Sequence, residues 1–121
     1  MTEHLTAAQF HALSDRPKNK YRNKKTLVDG HAFDSKAEAS YYVALKHRAK
    51  AGEVEAVEMQ RPYALTINGM LICTYKADFV FWDVALKRWR VVDVKGVITD
   101  VFRIKQKLMK ACHGIEVEIV R

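Results

Sequence analysis

The run Arg90-Val91-Val92-Asp93-Val94-Lys95-Gly96 is the tightest constraint on the fold. It reads as a buried strand that ends on an acid and a lysine. Side chains alternate faces along a strand, so Asp93 and Lys95 share one side and Val92 and Val94 the other. A carboxylate and an ammonium therefore stand side by side at the end of an apolar run. Burying charge is costly unless the group is paired or binds a metal. Either Asp93 and Lys95 pair as a structural detail, or they carry chemistry.

The elements around this strand follow from local signals. Residues 3–14 read as a short helix with Leu5, Phe10 and Leu13 as apolar points. Residues 16–25 then hold six basic side chains and no acid. They are either a solvated arm or one that meets phosphates through Lys20, Arg22, Lys24 and Lys25, with Tyr21 able to stack on a base. The expected organisation is this helix and arm over 1–25 and one core domain over 26–121. Asp29-Gly30 marks a tight hairpin across 26–33. Asp34-Ser35 opens a helix that runs to about Ala51 and stops at Gly52. Glu38, Tyr41, Tyr42, Leu45 and Ala49 recur at helical spacing and form its inward face. Val54 to Leu65 is strand-like but broken around Arg61-Pro62. Asn68-Gly69 tips a second hairpin, and Tyr75 to Asp83 is a strongly β-prone strand. Val84 to Lys87 turns the chain into the valine strand. Thr99 or Asp100 caps a second helix that reaches His113 and stops at Gly114. Its expected buried stripe is Val101, Ile104, Leu108 and Cys112, with Arg103, Lys107 and Lys110 outward. Ile115 to Val120 alternates apolar and acidic residues, as a closing strand with one wet face does. The expected class is α/β or α+β: a central mixed sheet with a helix on either side.

Charge points toward a partner. Twenty-one Lys and Arg stand against fourteen Asp and Glu, a net charge of +7. That favours a polyanion, with nucleic acid the leading candidate; the bland alternative is a basic surface kept for solubility. No apolar run is long enough for a membrane span, and the first residues lack the pattern of a signal peptide, so a cytoplasmic location is expected. Cys73 and Cys112 are then expected to be core thiols. The histidines show no metal-ligand spacing, and no phosphate-binding glycine loop indicates a nucleotide triphosphate.

Three acids stand out: Glu38 at a helix start, Asp78 inside an aromatic strand, and Asp93. Antiparallel neighbours can bring Asp78 and Asp93 to the same end of the sheet, and a packed helix can add Glu38. Converging carboxylates repel unless a cation sits between them, and hard oxygen ligands suit Mg²⁺ or Mn²⁺. Lys95 beside them can stabilise developing negative charge or position an attacking water. Acids, a divalent ion, a lysine and a basic surface together indicate phosphodiester hydrolysis. Each residue also has a structural reading. Ser35-x-x-Glu38 is a capping box, Asp78 can be satisfied by Lys76, and Asp93 with Lys95 can be a plain ion pair.

With these residues in place, the chain resembles the PD-(D/E)XK nuclease superfamily. That family carries an acid in its first core helix, an acid on its second core strand, and (D/E)-x-K on the third, before another helix. Here the pattern falls on Glu38, Asp78 and Asp93-Val94-Lys95. The phrases Asn23-Lys24-Lys25-Thr26, Phe33-Asp34-Ser35-Lys36-Ala37-Glu38-Ala39, Tyr75-x-Ala77-Asp78-Phe79 and Asp93-Val94-Lys95-Gly96 look like a small phage and prophage subfamily. Ala77 departs from the superfamily's proline. The resemblance implies a restriction-endonuclease-like core in the order αβββαβ and a Mg²⁺ cofactor that Mn²⁺ can replace. It implies Asp78, Asp93 and the Val94 carbonyl as metal ligands, Glu38 on a second metal or its water, and Lys95 on the nucleophilic water. Junction resolvases with a similar arrangement commonly work as homodimers.

Two functions are therefore in view. One is a Mg²⁺-dependent endonuclease on DNA, selecting branched structures such as Holliday junctions because so short a chain has little room for a recognition domain. In it, Lys36, Lys105 and Lys107 would add backbone contacts to those of the basic arm, or else belong to solvated faces. The other is a DNA-binding protein that keeps the fold without cutting.

Overall fold

The computed structural model describes residues 25–121. The helix expected over 3–14 and the arm residues Lys20, Arg22 and Lys24 lie outside them. The chain divides into two units at the junction of Ala39 and Ser40.

In the first unit, β1 (Thr26–Val28) pairs antiparallel with β2 (His31–Phe33). The turn needs left-handed backbone at both central positions, and Asp29 and Gly30 supply it with φ of 52° and 79°. Lys25 Nζ pairs with Asp34 Oδ1 at 3.0 Å on the surface. Helix α1 (Lys36–Lys50) begins here. Ser35 Oγ accepts a hydrogen bond from the Glu38 amide at 3.0 Å, satisfying one of the helix's orphan donors as the Ser35-x-x-Glu38 pattern predicts.

In the second unit α1 continues to Lys50, with Leu45 buried and the Tyr41 ring 5.2 Å from that of Phe79. Ala49, expected on the inward face, is exposed. Four strands follow: β3 (Val54–Ile67), β4 (Met70–Asp83), β5 (Arg88–Val94) and, after helix α2 (Asp100–His113), β6 (Val117–Val120). They lie in the order β3-β4-β5-β6, antiparallel for the first two pairs and parallel for the last. The result is a mixed α+β fold with a central mixed sheet flanked by two helices. From α1 onward the order is αβββαβ. The Asn68-Gly69 turn, with φ of 50° and 80°, joins β3 to β4 as expected.

Two expectations are corrected. β3 is not broken at Arg61-Pro62: Arg61 pairs with Ala77 and Pro62 with Lys76. β3 is an edge strand, and a proline lacking its N–H is tolerated where no second neighbour needs that donor. The irregularities fall elsewhere, at Ala56 (φ 54°), beside a register shift, at Gln60 (φ 55°), and at a second register shift between Leu65 and Thr66.

The phase of α2 also differs. Phe102 and Met109 are its buried residues, while Val101 and Ile104 are more than half exposed. Leu108 and Cys112 of the expected stripe do pack half-buried against the core, so only its first half fails, where the Thr99 cap and the aromatic core turn Phe102 inward. Thr99 Oγ1 caps the helix by accepting from the Phe102 amide at 3.1 Å, and the Phe102 ring lies 6.3 Å from that of Tyr75. Phe102 and Met109 join Leu65, Val80, Val91 and Val117 in the core beneath α2. Gly114, left-handed at φ 70°, ends the helix as expected. Cys73 and Cys112 are free thiols packed against this core, as predicted.

Candidate functional site

The site forms where β4 and β5 approach their paired ends. Phe79 opposes Val92 in the ladder, and Asp78 and Asp93 are each one residue further on, so the two acids face each other across the strands. Asp93 is 2% exposed, whereas Asp78 is half-buried. The Val94 amide donates to Asp78 Oδ2 at 2.9 Å, locking that carboxylate against the strand carrying Asp93. Gln60 Nε2 donates to Asp78 Oδ1 at 3.1 Å. Its left-handed backbone lies between the Met59–Phe79 and Arg61–Ala77 pairs, opposite Asp78. A non-glycine residue held there is a local cost that the surrounding structure must sustain.

Asp93 receives the Tyr75 hydroxyl, which donates to its Oδ2 at 2.8 Å. Burial, followed by the Asp93 carboxylate beside it, pushes the Tyr75 hydroxyl well above the ordinary tyrosine range, so it stays a donor. Lys95 Nζ approaches Asp93 Oδ2 to only 3.9 Å and sits 4.8 Å from the centre of the Phe102 ring. That is too long for a hydrogen bond. Asp93 is pushed up to about 7, first by burial and then by the neighbouring Asp78, against the lowering pull of Tyr75 and Lys95. A plain ion pair would leave the acid below its ordinary value. Lys95 is thus an ion-pair partner at long range, and its pull on Asp93 is outweighed by burial and by Asp78.

These side chains line a cleft of about 440 Å³ that also takes in Thr74, Lys76, Thr99 and Lys105. Of the residues expected to act, the second unit brings Asp78, Asp93, Lys95 and Lys105 to this one cleft, with Val94 between the last two strand charges. Lys107 is exposed on the same helix as Lys105. Glu38 belongs to the first unit, where it is buried in the opening turn of α1. Lys36 is exposed beside it in sequence, and Lys25 is engaged by Asp34. Tyr75 and Gln60 were not anticipated. A buried tyrosine three residues before a candidate ligand looks like core in sequence, and Gln60 is found only through the register of β3 on β4.

The donor set fits a divalent cation. Two hard carboxylates lie side by side in a partly desolvated cleft, where burial first and then the neighbouring Asp78 raise Asp93 toward neutrality, a conflict a cation between them relieves. Mg²⁺ is commonly held by one or two carboxylates, with water and substrate phosphate completing its shell. Among the described residues, no three His, Cys, Asp or Glu side chains stand together as a ready cage, so the pair is what this cleft offers. Nor, among those residues, is any helix long and apolar enough to cross a membrane.

No curated protein and no solved structure matches the chain. Residues 18–119 match the family described as "Protein of unknown function (DUF1064)", and the chain belongs to that family.

Proposed function

We propose that the chain is a metal-dependent endonuclease that hydrolyses DNA phosphodiester bonds. The observation that carries this reading is the Asp78–Asp93 pair: two carboxylates held together, one of them raised to about 7 by burial and by the other, with Lys95 no closer than 3.9 Å. Evolution has little structural use for such a pair, since an apolar pair would be cheaper to bury. The PD-(D/E)XK resemblance and the net charge of +7 support the same reading.

On this reading Asp78 and Asp93 hold Mg²⁺, with the Val94 carbonyl as a further ligand. The ion would supply Lewis acidity toward the phosphate and lower the pKa of a bound water. Lys95 keeps its ammonium at the mouth of the cleft, against the Phe102 face, where it can meet a phosphate oxygen and offset charge that grows during attack. Tyr75 orients the Asp93 carboxylate, and Gln60 with the Val94 amide orients Asp78. Lys76 and Lys105 line the same cleft and add attraction for the backbone. Branched DNA is the proposed substrate, and a homodimer the proposed working form, because cutting both strands needs two sites.

The test is incubation with labelled four-way junction, flap, single-stranded and duplex DNA in Mg²⁺, Mn²⁺ or EDTA. Cleavage that needs the metal and favours a branched form is expected. Binding without metal-dependent cleavage of any of them would sink the enzyme and leave a non-cutting DNA-binding protein.

A further inference from the structure

A second cleft opens at the other end of α2. It measures about 550 Å³ and shares no lining residue with the carboxylate cleft. The carboxylate cleft includes Thr99 and Phe102 at the start of α2, and the second includes Gly114 to Glu116 just past its end. A 14-residue helix spans about 21 Å, so the two are separate sites. The core residues Val80 and Val91 reach the second cleft, and its polar and aromatic lining comes from Arg61 and Tyr63 on β3 and from Arg88 and Trp89 on β5.

The chemistry of this lining is specific. Trp89 is 49% exposed, a large aromatic surface given to solvent. It is braced edge-on by Trp82, with ring centres 5.5 Å apart and planes at 75°, which sets its orientation. The Arg61 guanidinium lies 5.2 Å from the centre of the Tyr63 ring. Its carboxylate partner, Glu58, is 3.8 Å away, and Arg88 stands 3.8 Å from Glu118. Both are ion pairs too long for hydrogen bonds, but Arg88 lies with Arg90 and Glu118 on the opposite face of the sheet from Trp89 and Val91, so it is the Arg61 fork that retains donors for an anion in this cleft. Glu116, the acid lining the cleft, is engaged by Lys110. A braced indole and the Arg61 guanidinium, over an apolar floor, match a ligand with a flat aromatic part and an anionic part. The volume lies within the range of small-molecule sites.

We propose that this cleft binds one unpaired nucleotide, its base on Trp89 and its phosphate on Arg61. The preference for a nucleotide over other aromatic anions rests on the nucleic-acid reading above. A branch point or flap offers an unpaired nucleotide and an intact duplex withholds it. The cleft is thus a means by which a chain this short selects DNA structure while cutting elsewhere.

The experiment is a titration of the full chain, in EDTA, with deoxyadenosine monophosphate, deoxyadenosine and inorganic phosphate, read by tryptophan emission. The monophosphate is expected to quench emission saturably, and Trp89→Phe to remove most of that quenching. Arg61→Ala should bind the monophosphate about tenfold more weakly. Deoxyadenosine should bind more weakly than the monophosphate and lose little in Arg61→Ala. The proposal is overturned by no saturable quenching, by inorganic phosphate competing as well as the monophosphate, or by unchanged affinity in Arg61→Ala. Arg61 is exposed, so that variant keeps the test decisive if Trp89→Phe folds poorly. No cleavage enters the measurement. Nucleotide binding without DNA cutting keeps this site and sinks the nuclease, and cutting without nucleotide binding does the reverse.

Discussion

Asp83 and Asp93 stand toward opposite ends of the β4–β5 pair, each almost wholly buried, in opposite surroundings. Asp83 closes the turn after β4. Its Oδ1 accepts the Leu86 amide at 2.9 Å, and its Oδ2 meets Arg90 at 3.1 Å and Arg48 at 3.6 Å. The Leu86 amide, and after it Arg90 and Arg48, hold its carboxyl below the ordinary aspartate value despite burial. Arg90 in turn forks onto Glu118 at 2.7 and 3.0 Å, tying β6 into the same network. Asp93 has a tyrosine, a distant lysine and a second acid. One end of the hairpin is a satisfied charge network, and the other leaves charge unresolved. A buried acid becomes a functional candidate only when its surroundings fail to explain it.

The largest expected effect is at the unresolved end. Asp93→Asn keeps shape and removes the charge. Metal-dependent cleavage should fall by about 10⁴-fold, while DNA binding holds or tightens because phosphate repulsion is relieved. The metal-free protein should gain stability, on the order of 1 kcal/mol, read as a rise of several degrees in Tm. A loss of folding would instead place Asp93 in the same structural class as Asp83.

Arg90→Ala is the mirror experiment. It strips a cation from Asp83 and Glu118 and should cost about 2 kcal/mol by denaturant titration, less than a fully buried pair because Arg90 keeps a fifth of its side chain in solvent. Cleavage per folded molecule should hardly change. An activity loss as large as that of Asp93→Asn would erase the distinction between the two ends.

The smallest effect is in pH dependence, and the two acids differ in sign. Asp93 is raised from 3.8 to about 7 in the fold. Across that window the folded chain holds a proton the unfolded chain has lost, so metal-free stability falls as pH rises and levels off above it. Asp83 is lowered, so its contribution is present above the ordinary value and is lost as pH falls through its folded pKa. Melting curves in EDTA from pH 4.5 to 8 should show the Asp93 slope in the wild type and lose it in Asp93→Asn. Tyr75→Phe, which removes a hydrogen bond to the carboxylate, should shift the acidic limb of the pH–rate profile upward and lower the rate about tenfold. An unshifted profile would remove Tyr75 from the site.

Much of this was legible locally. Asp29-Gly30 and Asn68-Gly69 announced their hairpins because few other residue pairs tolerate two left-handed positions. Thr99 and Gly114 marked the limits of α2. Asp78 and Asp93 could be singled out because an acid in a run of aromatic or β-branched residues needs a reason, and the turn near Val84 to Lys87 limited how those strands could pair.

What escaped was whatever depends on phase or on neighbours distant in the chain. On α2 local spacing placed Leu108 and Cys112 against the core but not Phe102, which turns inward in place of Val101 because it packs against Tyr75. β3 runs through Pro62 because it is an edge strand, a property of the sheet rather than of the residues. Asp83 looked unremarkable until Arg90 and Arg48 met it, and Arg61 and Trp89 are far apart in sequence yet line one cleft.

By itself, then, the sequence determined the order of elements, their turns and caps, and the short run Asp93-Val94-Lys95 with its alternating faces. These rest on backbone geometry and on spacing within a few residues. The tertiary structure alone decided that the charge of Asp83 is favoured and that of Asp93 opposed, because the pKa of a buried acid depends on which charges and donors the fold brings within a few ångströms.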